Sequence, residues 1–386
     1  MASTGRPTGL ADQQGSGGGA LDGWDDDQLR ALGVDPGRLR GLARELLHGD
    51  DDVNRVRGQV EPPREDDVAQ LPDRDSAEGS RLTALGLDAM RRGELAVVVL
   101  AGGMATRMGG VVKALVEAVP GVTFLEARLA ERTYWADQAG ASLPMWLMTS
   151  HATDEAISDA LAGVRDDDVA QFRQHASVRL TPEGELFRDS EGNLSLHATG
   201  HGDLPDALRQ SGLLDAFIER GGRVLLIANL DNLGASVDPL VLGWHLDHDD
   251  PLTVEVVDKG SERGGIPVRL NGRPVVLESF RLPVGFDEAA VTVFNTNTFL
   301  VDAMAVRDLD IDWSYFRVEK AVGGRPAIQF ERLIGQLPEA LPARFLKVPR
   351  EGAQSRFLPA KDHPELERNR PSIARRITRF LRSRHH

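Results

Sequence analysis

Ala96-Val97-Val98-Val99-Leu100-Ala101-Gly102-Gly103-Met104-Ala105-Thr106-Arg107-Met108-Gly109-Gly110-Val111-Val112-Lys113 decides how this chain is read. The apolar run Ala96 to Leu100 has the length and β-branched content of a strand buried on both faces, as in a parallel sheet. It ends at Gly102 and Gly103, where no Cβ keeps a ligand from the backbone. Free N–H groups in such a turn favour anionic oxygens. Arg107 and Lys113 add positive charge where a triphosphate would lie. The spacing matches neither the dinucleotide fingerprint G-x-G-x-x-G nor the P-loop.

Outward from this stretch, strands and helices alternate, which predicts an α/β fold with a parallel sheet and crossover helices. The pattern predicts a helix around 123–139, a strand at Met145–Thr149 and a helix from Thr153. Val178–Leu180 reads as a short extended piece, 204–220 as one helix and Arg223–Ala228 as a strand. Val237–Asp247 reads as a helix with Asp238 near its start. Leu252–Val257, Ile266–Leu270 and Pro274–Glu278 read as antiparallel strands, the last two joined at Asn271-Gly272. Val291–Asn295 is a further strand. Residues 1–20 are rich in Gly, Ser, Thr and Gln and are expected to be disordered. Residues 21–81 read as short helices followed by an extended arm interrupted by Pro62 and Pro63. The main domain is expected over 82–365, with a basic C-terminal helix over 366–386.

Composition narrows the classes. The chain has 386 residues, 41% of them hydrophobic, and a formal net charge of −14. That charge argues against a general binder of nucleic acid or anionic membrane. The absence of cysteine removes disulfides, thiolate metal sites and cysteine nucleophiles, and fits a cytoplasmic enzyme. No apolar run approaches the roughly 18 residues of a spanning helix, so no membrane span is expected.

Further segments carry chemistry. Ile227-Ala228-Asn229-Leu230-Asp231-Asn232 ends a strand in a carboxylate, at the edge where open α/β sheets bind ligands. Asp231 serves there as a Mg²⁺ ligand or as a turn former, and the glycine loop favours the metal. Gly200-His201-Gly202-Asp203 is either a ligand loop or a polar helix start capped by Asp203. Strand alternation would put Asn295 and Asn297 on one face, offering carboxamides to sugar hydroxyls. Lys259 is a lone cation, and Lys361 follows an anchoring Phe357-Leu358-Pro359. In the Arg-rich tail, Ile373, Ile377, Phe380 and Leu381 share one helical face, which suits docking on an acidic body.

Together these segments resemble the eukaryotic-type UDP-sugar pyrophosphorylases, the group that includes UTP–glucose-1-phosphate uridylyltransferase. The resemblance runs in order from about 59 to 365. It rests on Pro62-Pro63-Arg64-Glu65-Asp66, the loop Leu100 to Lys113, and Gly200-His201-Gly202-Asp203. It continues through Asn229-Leu230-Asp231-Asn232-Leu233-Gly234-Ala235, Glu255 to Lys259 with Gly264-Gly265, Asn295-Thr296-Asn297, and Ser355 to Lys361. Val111-Val112 stand where the family usually has Gly-Pro.

The resemblance implies a Rossmann-like nucleotidyltransferase fold, similar to glycosyltransferase type A, with a mixed sheet flanked by helices. It implies a Mg²⁺-dependent reaction of UTP with a sugar 1-phosphate, glucose 1-phosphate first, giving UDP-sugar and pyrophosphate. Leu100, Ala101, Gly102 and Gly103 would lie along the nucleotide, and Gly200 against the uracil. Arg107 and Lys113 would hold the triphosphate, and Asp231 the Mg²⁺. His201, Asn295 and Asn297 would reach the sugar side, and Lys259 and Lys361 the phosphates. A monomer or weak oligomer is expected. The alternatives are another nucleotide or another sugar or cyclitol phosphate, a cofactor-pathway nucleotidyltransferase, and a catalytically weak nucleotide-sugar-binding protein.

Overall fold

Eight strands form the central sheet of the computed structural model, which describes residue 21 and residues 23–48, 52–105 and 108–382. The expected disordered tail, Arg107 and the last four residues lie outside the described residues. We number the main elements α1 (Asp26–Ala31), α2 (Pro36–His48), β1 (Val68–Gln70), α3 (Ala77–Arg91), β2 (Leu95–Leu100), α4 (Phe124–Ala139), β3 (Met145–Thr149), α5 (Asp154–Leu161) and β4 (Val169–Arg173). They continue as α6 (Leu204–Gln210), α7 (Leu213–Glu219), β5 (Val224–Asn229), α8 (Pro239–Leu246), β6 (Leu252–Asp258), β7 (Ile266–Leu270), β8 (Arg273–Leu277) and β9 (Val293–Asp302). The last are β10 (Phe316–Val322), β11 (Arg325–Glu331), β12 (Ala343–Lys347) and α9 (His363–Arg382).

The sheet order is β1-β12-β6-β9-β5-β2-β3-β4. Only β9 runs antiparallel to its neighbours β5 and β6. The chain walks outward from β2 through β3 and β4, then returns to the other side of β2 with β5. That reversal opens a crevice at the carboxyl ends of β2 and β5, where open α/β sheets hold ligands. Strands β2, β3 and β5 are almost wholly buried, which explains why they read as continuous apolar runs rather than alternating ones. No helix of the described residues is long and apolar enough to cross a membrane.

Several expectations change. The helix expected over 204–220 is two helices, because Gly212 takes a left-handed φ of 75° between α6 and α7. β6 does not join the β7–β8 hairpin; it runs beside β12 and β9 in the main sheet. β7 and β8 do pair across Asn271-Gly272, both at positive φ. The boundary near Leu82 falls inside α3, and the arm before it supplies edge strand β1. Helices α1 and α2 form a second apolar cluster with Val178, Leu180, Ile328 and Phe330. Helix α9 begins at His363, earlier than expected, and buries Leu366, Ile373, Ile377 and Phe380.

Candidate active site

The crevice is a cavity of about 580 Å³. Leu100 and Asn229 are register partners at the ends of β2 and β5. Beyond them the glycine loop and the Asp231 loop face each other.

The glycine loop is tied down by side chains from the end of β3. Ser150 Oγ donates to the Gly102 carbonyl (2.9 Å) and Thr153 Oγ1 to the Ala101 carbonyl (3.1 Å). Gln174 packs so closely on Gly102 that a Cβ there would meet its Nε2 at 2.8 Å. At Gly103 a Cβ would meet nothing within 4 Å, so this residue leaves open space on the cavity side. The chain then doubles back: Met104 and Ala105 pair antiparallel with Val112 and Val111. The Lys113 N–H donates to the Gly103 carbonyl (3.3 Å). Val111-Val112 therefore form the return strand of a small ladder that aims Lys113 at the cavity.

Lys113 Nζ donates to the Asp231 carboxylate. Each side chain keeps 16% of its exposure. Behind Asp231, buried Arg128 of α4 donates to the carbonyls of Asn229 (2.8 Å), Asn232 (2.7 Å) and Ala235 (2.9 Å). Asn232 Oδ1 accepts from the Leu358 N–H (2.8 Å), docking the 355–358 segment on the loop. Arg356 sits in that segment, buried and paired with Glu255.

The Gly200-His201-Gly202-Asp203 loop forms the opposite wall. A Cβ on Gly202 would lie 2.7 Å from the Arg332 carbonyl carbon, and Gly200 also packs on Arg332 at a φ of 95°. Both glycines are thus required by the protein's own backbone. Asp203 occupies the N-cap position of α6, but its side chain makes no capping hydrogen bond. It is fully buried, accepts from the His175 N–H (2.9 Å) and pairs with the Arg332 guanidinium. His201 Nδ1 accepts from the Ile334 N–H (2.9 Å), which leaves the ring proton on Nε2. Burial pulls His201 down to about 4, so the ring is neutral at pH 7.

Asn297 and Asn295 do not simply alternate. Asn297 takes a left-handed φ of 58°, and its N–H donates to Asn295 Oδ1 (3.0 Å). Its Nδ2 donates to Asn229 Oδ1 (2.9 Å), tying β9 to β5 at the cavity. A positive φ on a non-glycine is strained, and such strain clusters at ligand sites.

The cavity thus gathers Leu100, Gly102, Gly103, Lys113, Gly200, His201, Asp231 and Asn297. Buried Ala101 sits just behind it, held by Thr153. Asn295, Lys259 and Lys361 do not line it. Lys259 Nζ donates to the Glu288 carbonyl (3.1 Å), and Lys361 Nζ to Glu262 (2.8 Å). Sequence reasoning missed Gln174, Arg179, Lys320 and Gln329, which line the far side, the last two from the β10–β11 hairpin. Glu278 lies outside the cavity lining. Its carboxyl lies 2.8 Å from where a Gly265 Cβ would stand, and burial pushes it up to about 7. The Gly323-Gly324 pair between two short segments was the available signal for the hairpin.

The chain is similar to known proteins along most of its length. The family model described as UTP–glucose-1-phosphate uridylyltransferase matches residues 41–368. The relative of that name from Encephalitozoon cuniculi is 29% identical over 291 residues, 71% of this chain and 57% of that protein. The one from Hordeum vulgare is 30% identical over 301 residues, 72% of this chain and 63% of that protein. The chain therefore spans about three fifths of the length of these relatives. A UDP-glucose pyrophosphorylase variant from Leishmania major, solved in complex with UDP-glucose, superposes with a TM-score of 0.71 at 22% identity, covering 90% of this chain and 78% of that one. A UDP-glucose phosphorylase from Trypanosoma brucei does so with a TM-score of 0.73 at 21% identity, covering 89% and 77%. With a family match over most of its residues, the chain belongs to the UTP–glucose-1-phosphate uridylyltransferase family.

Proposed function

We propose that the protein transfers a uridylyl group from UTP to glucose 1-phosphate, releasing pyrophosphate. The observation that carries this reading is the Lys113–Asp231 pair, facing the glycine loop in one cavity. A sugar-phosphate oxygen attacks the α-phosphorus. The bond from that phosphorus to the bridging oxygen breaks, and pyrophosphate leaves with the electron pair. Little covalent chemistry is asked of the protein, so positioning and charge neutralisation dominate.

Backbone N–H groups of the glycine loop bind the phosphates, and Lys113 neutralises charge on the departing pyrophosphate. Gln174 presents a carboxamide beside the loop, a suitable partner for the donor and acceptor edge of uracil. Neutral His201 donates from Nε2 and Asn297 from its carboxamide, both suited to hydroxyl or phosphate oxygens. Arg128 fixes the Asp231 loop from behind.

The donor set fits Mg²⁺. Among the described residues no three His, Asp or Glu side chains gather as a cage. One carboxylate completed by phosphates and waters is what Mg²⁺ accepts. Asp231 would hold it, and the ion would supply charge stabilisation at the transferring phosphoryl group.

The test is pyrophosphate release with Mg²⁺ from a matrix of five nucleoside triphosphates against sugar 1-phosphates. The expected result is turnover dominated by UTP with glucose 1-phosphate. Another dominant pair would reassign the substrate. UTP binding without turnover of any pair would overturn the enzymatic reading.

A further inference from the structure

Helix α9 and the loop before it enclose a second cavity of about 410 Å³, which shares no lining residue with the first. That volume suits a small ligand. Its lining includes Arg74, Arg356, Arg375, Arg376 and Arg379 and a single carboxylate, Asp238. Arg74 and Arg356 both pair with Asp238, and Arg356 also pairs with Glu255.

The other three arginines have no carboxylate partner among the described residues. Arg375 donates to Ser372 Oγ (3.1 Å). Arg376 donates to Ser236 Oγ (3.0 Å) and to the carbonyls of Gly234, Ala353 and Ser355. Arg379 lies over the rings of Tyr134, Trp135 and Phe380. Positions 372, 375, 376 and 379 fall on one helical face, so these groups converge. Burial, with Arg356 and Arg379 adding positive charge, holds Arg376 down to about 10. The indole Nε1 of Trp135, a residue of the cavity wall, is buried without a hydrogen-bond partner. In a chain of net charge −14, such a cluster of arginines, of which Arg376 feels Glu131 and Asp238 only at longer range, is local and not a consequence of overall composition.

We propose that this cavity binds a small, multiply phosphorylated anion through Arg375, Arg376 and Arg379. Guanidinium groups match phosphate oxygens with paired N–H donors and stay charged throughout the physiological range. Through its bonds to Gly234 and Ser236, Arg376 also joins this cavity to the segment that follows Asp231.

The test titrates the whole protein with inorganic tripolyphosphate at low salt, following calorimetric heat and tryptophan fluorescence. Lys113→Ala is run in parallel, so that anion binding in the first cavity is separated. The expected result is saturable binding that persists in Lys113→Ala, with a fluorescence change absent in Trp135→Phe. Binding weakens at least tenfold in Arg375→Gln/Arg379→Gln and falls as salt rises. The single variant Arg375→Gln, at an exposed position, weakens it severalfold and serves if the double variant folds poorly. Wild-type affinity in the arginine variants would overturn the proposal. So would loss of all binding in Lys113→Ala, or no binding to the wild-type protein.

Discussion

Lys113 and Asp231, 118 positions apart, are bonded to each other at the head of the cavity. The cation that would neutralise a departing pyrophosphate and the carboxylate that would hold Mg²⁺ thus neutralise one another. The pairing keeps two part-buried charges from standing alone. On the proposed reaction, Lys113→Ala and Asp231→Ala each lower kcat by about two orders of magnitude or more, because each removes charge stabilisation aimed at the transferring group. The double variant loses much less than the product of the two. Steady-state kinetics with a melting curve for each variant checks both statements. Near-wild-type turnover in either single variant would remove that residue from the chemistry.

The same pair predicts how metal and nucleotide enter. If Asp231 holds the metal as proposed, Mg²⁺ alone would have to compete with Lys113 for it, since no cage of three acidic or imidazole ligands gathers among the described residues. Mg²⁺ alone is expected to leave the melting temperature unchanged, and Mg²⁺ with UTP to raise it. A chelator abolishes turnover, and added Mg²⁺ restores it. A large shift with Mg²⁺ alone would point to a preformed metal site.

The parts of this site legible in the sequence are those where a buried strand meets a loop. β2 and β5 announce themselves as apolar runs, and the residues after them, Gly102-Gly103 and Asp231, fall at their carboxyl ends for that reason alone. Hairpin β10–β11 was not legible from apolar periodicity, because Arg317, Glu319 and Lys320 make its first strand polar. The buried arginines were hidden for a different reason. Arg128 bonds to carbonyls more than 100 positions away, and main-chain carbonyls leave no mark in a sequence. The roles of Lys259 and Lys361 rested on resemblance, and the fold gives each an acidic partner outside the cavity lining.

The glycines divide into two kinds, which substitution separates. A Cβ on Gly103 would enter open space, so Gly103→Ala leaves the melting temperature close to wild type. If nucleotide lies along this loop, the same variant raises the KM for UTP about tenfold. A Cβ on Gly202 collides with the Arg332 backbone, so Gly202→Ala lowers stability by about 1–3 kcal/mol whether or not ligand is present. Equal melting temperatures for the two variants would contradict this division.

The Asp203–Arg332 pair anchors the wall that carries His201. Both side chains are buried, so truncating Asp203 removes the buried partner of Arg332 and leaves that guanidinium only its pairing with Asp206 (2.8 Å). Asp203→Ala is expected to cost about 1–3 kcal/mol in urea unfolding, since Asp206 still faces the guanidinium. A cost below about 1 kcal/mol would mean that the loop is held by its backbone bonds alone.

Glu278 gives a pH dependence of definite sign. Burial raises its carboxyl from 4.5 to about 7, while the charge of Arg281 pulls the other way. Below pH 4.5 the group is protonated in both folded and unfolded chains. Between 4.5 and 7 the folded chain keeps the proton that the unfolded chain has released. The stability contributed by Glu278 is therefore present at the acid end and is lost as pH rises through 7. Glu278→Gln cannot ionise, so it should match wild type near pH 5 and exceed it at pH 8 by about 2 kcal/mol, discounted for partial solvent access. Urea unfolding of both proteins across that range isolates this group, since every other titrating residue is common to the two. A difference that stays constant from pH 5 to 8 would show that the Glu278 carboxyl ionises at its ordinary value and reaches solvent when charged.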